Sequence, residues 1–333
     1  MKPLKIFLTH GPHALAHYYG PRALAGLQAL GEIRRNHTDE VLSVDEMVKL
    51  AGDCDIIVSY RVQPGSAELL QRLPHLLAFC RCAVDIRNVD IAAASAKGIL
   101  VTQASAGFKT SVAEWIVGAM IDLGRHITYA AKVYHAGKVP EAKMGRELKG
   151  STLGIIGYGQ IARTLTPIAH ALGMSVLIHD PYATITSDDG VSTSFTSLLA
   201  QSDFVVPLAV ATQETENLIG AAAFAAMKPS AYFINASRGN LVDEVALLDA
   251  LNRGSIAGCA LDVGRATDQM PTPELAAHPL VIATPHVAGL TLPAIEHQSM
   301  ETVHQVSEIL QGRLPLGAVN AEAAARLRDW FRP

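Results

Sequence analysis

The chain has 333 residues, 49% of them hydrophobic and 17% charged, and carries a net charge of −4 at pH 7. That length exceeds the usual single core of roughly 150 residues and predicts two domains, while the apolar content excludes a disordered protein. No block of Lys or Arg offers an electrostatic footprint for nucleic acid, and no run approaches the roughly 20 apolar residues of a membrane span, so the expected partner is a small molecule and the expected location cytoplasmic.

In chain order, the run KIFLT at Lys5–Thr9 reads as a strand and LAGLQAL as the helix after it. The apolar run of MKPLKIFLTHGPH is too short for the core of a signal peptide. DIIVSY and SAELLQRL repeat the strand and helix pattern. Cys54, Cys80, Cys82 and Cys259 are too few and too scattered to staple the chain, and they read as buried thiols of a reducing compartment. The Cys80 and Cys82 pair has no second pair to complete a metal site.

Residues 111–136, SVAEWIVGAMIDLGRHITYAAKVYHA, are apolar nearly all round and predict one long helix buried between domains or against a partner subunit. Strand-like runs then alternate with helical ones: TLGIIGYG, QIARTLTPIAHALG, SVLIHD, FTSLLA, FVVPLA, AYFINAS, EVALLDALNRG, GCALDV and VIATPH. Such alternation implies βαβ units and parallel sheets covered on both faces, hence the α/β class. The helical run LPAIEHQSMETVHQVSEILQG follows the last strand and returns the chain to the first domain, which would then be built from both ends of the sequence.

The strongest local motif is Gly157-Tyr158-Gly159-Gln160-Ile161-Ala162, where an apolar strand turns into a helix. The first Gly permits the tight turn, the second lets a pyrophosphate approach the backbone at the helix N-terminus, and the small third residue lets helix and strand pack closely. Asp180 closes the next strand about twenty residues on, where an acid accepts hydrogen bonds from ribose hydroxyls and repels a 2′-phosphate. That order selects NAD as the cofactor. Asp180 before Pro181 also fits a simple turn cap.

Three later strand ends carry polar residues: Arg238 in INASRGNLVDE, Asp262 and Asp268 in LDVGRATDQMP, and His286 in ATPHVAGLT. An arginine offers a planar fork to a carboxylate and a histidine exchanges protons near neutral pH, a pairing suited to a 2-keto acid. From about residue 75 to 320 the chain resembles the D-isomer-specific 2-hydroxyacid dehydrogenase family. The likeness rests on Asn88-Val89-Asp90, SVAEW, GIIGYGQIA, PLAVATQET, MKPSAYFINASRG, ALDV and TPHVAG in that order.

The resemblance implies two Rossmann-like or flavodoxin-like domains with parallel sheets. Residues 105–290 would be the NAD-binding Rossmann domain, inserted into a discontinuous substrate domain of residues 1–104 and 291–333. Arg238 would hold the substrate's carboxylate and carbonyl oxygen, with His286 as acid/base in NAD-dependent interconversion of a 2-keto acid and a D-2-hydroxy acid. Gly157, Gly159, Gln160, Ile161, Asp180, Pro207, Ala236, Asp262 and Gly289 would line the cofactor, Asp262 at the nicotinamide carboxamide. A homodimer is implied as well. Two alternatives use the same scaffold: an NAD-sensing, corepressor-like interaction protein, and a dehydrogenase of a non-hydroxyacid such as formate or phosphite.

Two stretches depart from the family pattern. The family places a glutamate beside the catalytic imidazole, and counting from Arg238 its position falls on Thr267. Either Asp268 takes its place, or Gln269 orients the ring without charge, or the imidazole has no such partner. A carboxylate about 4 Å away would interact by roughly 4 kcal/mol at an effective dielectric of 20. The family's glycine-containing carboxylate loop reads Arg81-Cys82-Ala83-Val84-Asp85-Ile86-Arg87-Asn88 here. The backbone of Val84 and Asp85 is expected to bind the acid, with Arg81 and Arg87 on the surface or, as the alternative, one of them adding positive charge for a larger or dianionic substrate.

Overall fold

The structure, a computed structural model, describes residues 4–330; the outermost residues of the expected substrate domain, 1–3 and 331–333, lie outside them. The chain divides into two compact units, one combining residues through Gly107 with those from Leu292 onward, the other spanning Phe108–Thr291.

The first unit is built on β1 (Leu4–Leu8), β2 (Gly31–Arg35), β3 (Ile56–Ser59), β4 (Ala78–Arg81) and β5 (Leu100–Gln103), all parallel in the order β2-β1-β3-β4-β5. Because both faces are covered, the inner strands read as continuous apolar runs such as Ile56-Ile57-Val58. Ile6, Leu8, Val58 and Cys80 face one core with Tyr19, Leu27 and Val306. Phe7, Ile57, Phe79 and Val101 face the other with Met47, Leu69 and Leu70.

The second unit holds β6 (Thr152–Ile156), β7 (Ser175–His179), β8 (Val191–Ser192), β9 (Phe204–Pro207), β10 (Tyr232–Asn235), β11 (Gly258–Leu261) and β12 (Val281–Ala283) in the order β12-β11-β10-β9-β6-β7-β8. Every ladder between these strands is parallel. Ile155, Val206, Ile234 and Ala260 pack with the helices Lys109–Arg125 and Gln160–Ala171 on one face. Val205, Phe233 and Cys259 alternate to the other, against Leu198, Phe224 and Leu247. The chain runs outward from β6 to β8 and then restarts beside β6 with β9, so the topological switch lies between the carboxyl ends of β6 and β9, where open sheets of this kind bind ligands.

The single long helix expected over residues 111–136 is two helices. Lys109–Arg125 ends at His126, whose φ of 56° is left-handed, and Ile127–His135 starts anew with the carboxylate of Asp122 accepting from the Thr128 N–H at 2.7 Å. The first helix buries Val112, Ile116, Met120 and Leu123 in its own unit, whereas the second has no buried residue. The all-round apolar pattern thus combined one core-facing helix with one surface helix. No helix among the described residues is long and apolar enough to cross a membrane.

All four cysteines are buried and free, and burial pushes the Cys80 and Cys82 thiols up to about 12. Among the described residues no group of three or more His, Cys, Asp or Glu is placed to hold a metal.

Candidate active site

At the switch point, β6 ends in Gly157, whose φ of 92° favours glycine. A Cβ there would lie 2.5 Å from the Ala209 nitrogen and 2.8 Å from the Leu208 carbonyl carbon, so the turn also needs glycine to let the chain after β9 pass. Gly159 differs: its φ of −84° suits any residue, and a Cβ would meet nothing within 4 Å. The space over Gly159 lies at the start of the helix Gln160–Ala171, whose first turn has no side-chain cap. Uncapped N–H groups and the positive end of the helix dipole make such a terminus receptive to phosphate. Ala162 is fully buried against the sheet, and Ile161 packs partly buried beside it; Gln160 is exposed.

Asp180, at the end of β7, joins the glycine turn to the next one. One carboxylate oxygen accepts from the Tyr158 N–H at 2.6 Å, the other from the N–H groups of Tyr182 at 2.8 Å and Ala183 at 3.0 Å. Burial alone would raise this carboxyl, and the three N–H groups outweigh it, holding the group below the usual carboxylate range. Asp180 therefore caps its turn and braces the glycine loop as an anion, which fits the adenosine end of NAD.

Farther along the same sheet edge, β10, β11 and β12 pair in register as Asn235, Leu261 and Ala283. Arg238 and His286 each follow their strand by three residues, and the strand ends they follow lie two strand spacings apart, about 10 Å. The side chain of Asn235 donates to the Arg238 carbonyl at 3.0 Å, and Arg238 donates to the Ser237 carbonyl at 2.7 Å. Asp262 stands between them, 1% exposed. Its main-chain oxygen accepts the His286 N–H at 2.9 Å, and its carboxylate accepts from the Thr284 hydroxyl at 2.6 Å and from the N–H groups of Val287 and Ala288 at 2.8 Å each. Three of roughly four carboxylate lone pairs thus hold the loop of His286. Gly289 packs against Phe108, and Pro207 and Ala236 are buried at the ends of β9 and β10.

The ring of His286 meets Asp268, through its main chain. Nδ1 lies 2.7 Å from the Asp268 carbonyl oxygen, where the sequence reading expects a carboxylate. A carbonyl only accepts, so Nδ1 carries the proton and Nε2 is left to gain and lose one. Asp268 at φ 54° and ψ 28° and Gln269 at φ 56° are consecutive left-handed residues, and His286 has φ 56°. Each such residue costs about 1–2 kcal/mol, and strain of this kind is concentrated at functional sites. The side-chain oxygen of Gln269 is buried without a hydrogen-bond partner.

Arg265, to which the sequence reading assigns no role, makes five side-chain hydrogen bonds. It donates to Glu216 at 2.8 Å, to the Asn217 side chain at 2.6 Å and to the carbonyls of Asn240 and Val242. Its guanidinium holds the Glu216 carboxyl below the usual range. Its signal in the sequence is one charge in the loop between the matching ALDV and TPHVAG motifs, where the chain departs from the family pattern.

In the first unit, Val84 and Asp85 follow β4 in a loop without left-handed residues from 82 to 88. Arg87 is exposed and donates to the Asp85 carboxylate. Arg81, expected on the surface, is 2% exposed. Its guanidinium donates to the carbonyls of Tyr60, Arg61, Gln63 and Asp85, tying the loop after β3 to the loop after β4, and burial brings it down to about 10.

Comparison with known proteins places these features in a family. Residues 117–288 match the model described as "D-isomer specific 2-hydroxyacid dehydrogenase, NAD binding domain". The chain is 36% identical to (S)-sulfolactate dehydrogenase of Chromohalobacter salexigens over 82% of this chain and 91% of that one. It is 30% identical to D-3-phosphoglycerate dehydrogenase of a Synechocystis strain, over 89% of this chain and 54% of that protein, so it spans about half the length of that relative. Among solved structures, D-lactate dehydrogenase from Escherichia coli matches with a TM-score of 0.82 at 25% identity, covering 95% of this chain and all of that one. The chain belongs to the D-isomer-specific 2-hydroxyacid dehydrogenases, and its second unit contains that family's NAD-binding domain.

Proposed function

We propose that this chain is an NAD-dependent oxidoreductase that interconverts a 2-keto acid and a D-2-hydroxy acid. The observation that carries the reading is the placement of Arg238 and His286 at the ends of β10 and β12, on one sheet edge with the glycine turn, with the imidazole Nδ1 already engaged by a carbonyl. The names of the relatives, which act on sulfolactate, phosphoglycerate and lactate, support the hydroxy-acid class.

NAD, when bound, supplies or accepts the hydride. Gly157, Gly159 and the N-terminus of the helix Gln160–Ala171 hold the pyrophosphate, and Asp180 the adenosine ribose. Arg238 anchors the substrate carboxylate and carbonyl through its planar fork. His286 protonates the developing alkoxide from Nε2 in reduction and takes the proton back in oxidation. In the first unit, the N–H groups of Val84 and Asp85 are those the family likeness gives to an acid, and the Asp85–Arg87 pair balances charge in that loop.

The test follows loss of NADH absorbance with glyoxylate, hydroxypyruvate, pyruvate, phenylpyruvate and oxaloacetate, using His286→Ala as control. Turnover on at least one acid, reduced in the variant by about 10²–10⁴-fold, is expected. Silence across the panel from a protein that still binds NADH would overturn the reading.

A further inference from the structure

We propose that the ring of His286 is oriented by the main-chain carbonyl of Asp268, and that Arg265 is the positioning residue that fixes this carbonyl. The inference rests on the reading of His286 as acid/base and concerns how its ring is held. The 2.7 Å contact at Nδ1 requires the Asp268 carbonyl to turn toward the ring, which the left-handed pair Asp268 and Gln269 accomplishes.

That turn is closed on itself. The Gly264 N–H donates to the Gln269 carbonyl at 2.7 Å, the Ala266 N–H to the Met270 carbonyl at 3.0 Å, and the Gln269 N–H to the Ala266 carbonyl at 3.0 Å. A closed turn still needs an external reference, and Arg265 provides it. Its main-chain N–H donates to Glu244 at 2.9 Å, at the start of the helix Glu244–Asn252. Its guanidinium uses all three nitrogens on Glu216, Asn217, Asn240 and Val242.

The acceptors at Asn240 and Val242 belong to the segment that follows Arg238, so one side chain ties the carbonyl that meets the imidazole to the strand end that carries the proposed substrate anchor. The two segments also touch through backbone: a Cβ on Gly239 would lie 2.1 Å from the Gly264 oxygen. Among the described residues, five non-glycine residues have left-handed φ, and four of them, Asn217, Asp268, Gln269 and His286, belong to this network. The planar guanidinium makes five hydrogen bonds to four acceptor atoms in one fork, which neither lysine nor an apolar residue reproduces.

The test compares Arg265→Met, and Asn217→Gly as a milder change that keeps the left-handed backbone, with the parent. The first readout is kcat and KM on the best acid of the panel. The second is the tautomer of His286 in protein labelled with ¹⁵N in the imidazole, its signals assigned by their loss in His286→Ala. The parent should show neutral His286 with the proton on Nδ1. Arg265→Met should lower kcat at least tenfold with KM for NADH within twofold, and should mix the tautomers. Asn217→Gly should do the same more weakly. A parent with the proton on Nε2, or a folded Arg265→Met with parental kcat and an unmixed Nδ1–H form, would overturn the proposal while leaving an inactive His286→Ala to support the acid/base reading. A fully active His286→Ala would overturn that reading, and the tautomer spectra would then decide the positioning role alone.

Discussion

Gly157 and Ala209 approach so closely that a Cβ on the glycine would stand 2.5 Å from the Ala209 nitrogen, whereas the same atom on Gly159 would stand in open space. The two glycines of one motif therefore answer to different demands. Gly157→Ala must both strain a left-handed residue and push the chain after β9 away, so it should lower the melting temperature of the NAD-binding unit. Gly159→Ala should melt like the parent but weaken NADH at least tenfold, because the added methyl occupies the space a pyrophosphate would enter. Titration of NADH fluorescence beside thermal melts separates the two, and unchanged affinity in Gly159→Ala would remove the phosphate site from that position.

Asp262 offers a second separation. Its carboxylate accepts three donors within the loop of His286 and is nearly inaccessible. Asp262→Asn places an NH₂ where one of those donors now points, which should cost about 1–3 kcal/mol and loosen the loop. Denaturant unfolding and kcat should fall together. A variant with parental stability and only a raised KM for NADH would instead assign the residue chiefly to the nicotinamide.

Much of this was legible because the features act through backbone. The glycine turn and Asp180 work by conformation and by N–H groups, which residue type reveals directly. Strand β2 was not legible: Gly31–Arg35 is an edge strand with no buried residue, and its GEIRR sequence lacks the apolar run of the inner strands. Arg81 was misread because its acceptors are carbonyls some twenty residues away, brought together only by the pairing of β3 with β4. Arg265 was missed for the same reason, since Glu216 lies 49 residues away. The glutamate's replacement escaped because sequence comparison matches side chains, whereas the group at Nδ1 is a carbonyl.

His10 sets a pH dependence in the first unit. It is 0% exposed, lies against Tyr19 and Tyr60, and has no hydrogen-bond partner on either ring nitrogen. Burial, with the nearby Arg81 charge adding to it, brings the group down to about 3. The unfolded chain takes up this proton near pH 6.5 and the folded chain does not, so the contribution to stability is fully present above 6.5 and is lost as pH falls from there towards 3. The slope is at most about 1.4 kcal/mol per pH unit. Denaturant unfolding of His10→Phe and the parent from pH 7 to 5 should diverge by that slope; parallel curves would show that His10 takes up its proton equally in the folded and unfolded chains.

The surface helix Ile127–His135 makes the case for a homodimer. The preceding helix turns Val112, Ile116 and Met120 into its own core, so its burial needs no partner. Ile121, Ile127, Tyr134 and Val139 are exposed within a short stretch of sequence in the same unit, and this is where we expect a second copy to dock. We expect light scattering at micromolar concentration to give twice the chain mass. Ile127→Asp with Tyr134→Asp should halve it and leave NADH binding intact, because neither side chain belongs to the unit's core. A monomeric parent would refute the dimer, and a dimer that survives the double substitution would move the interface elsewhere.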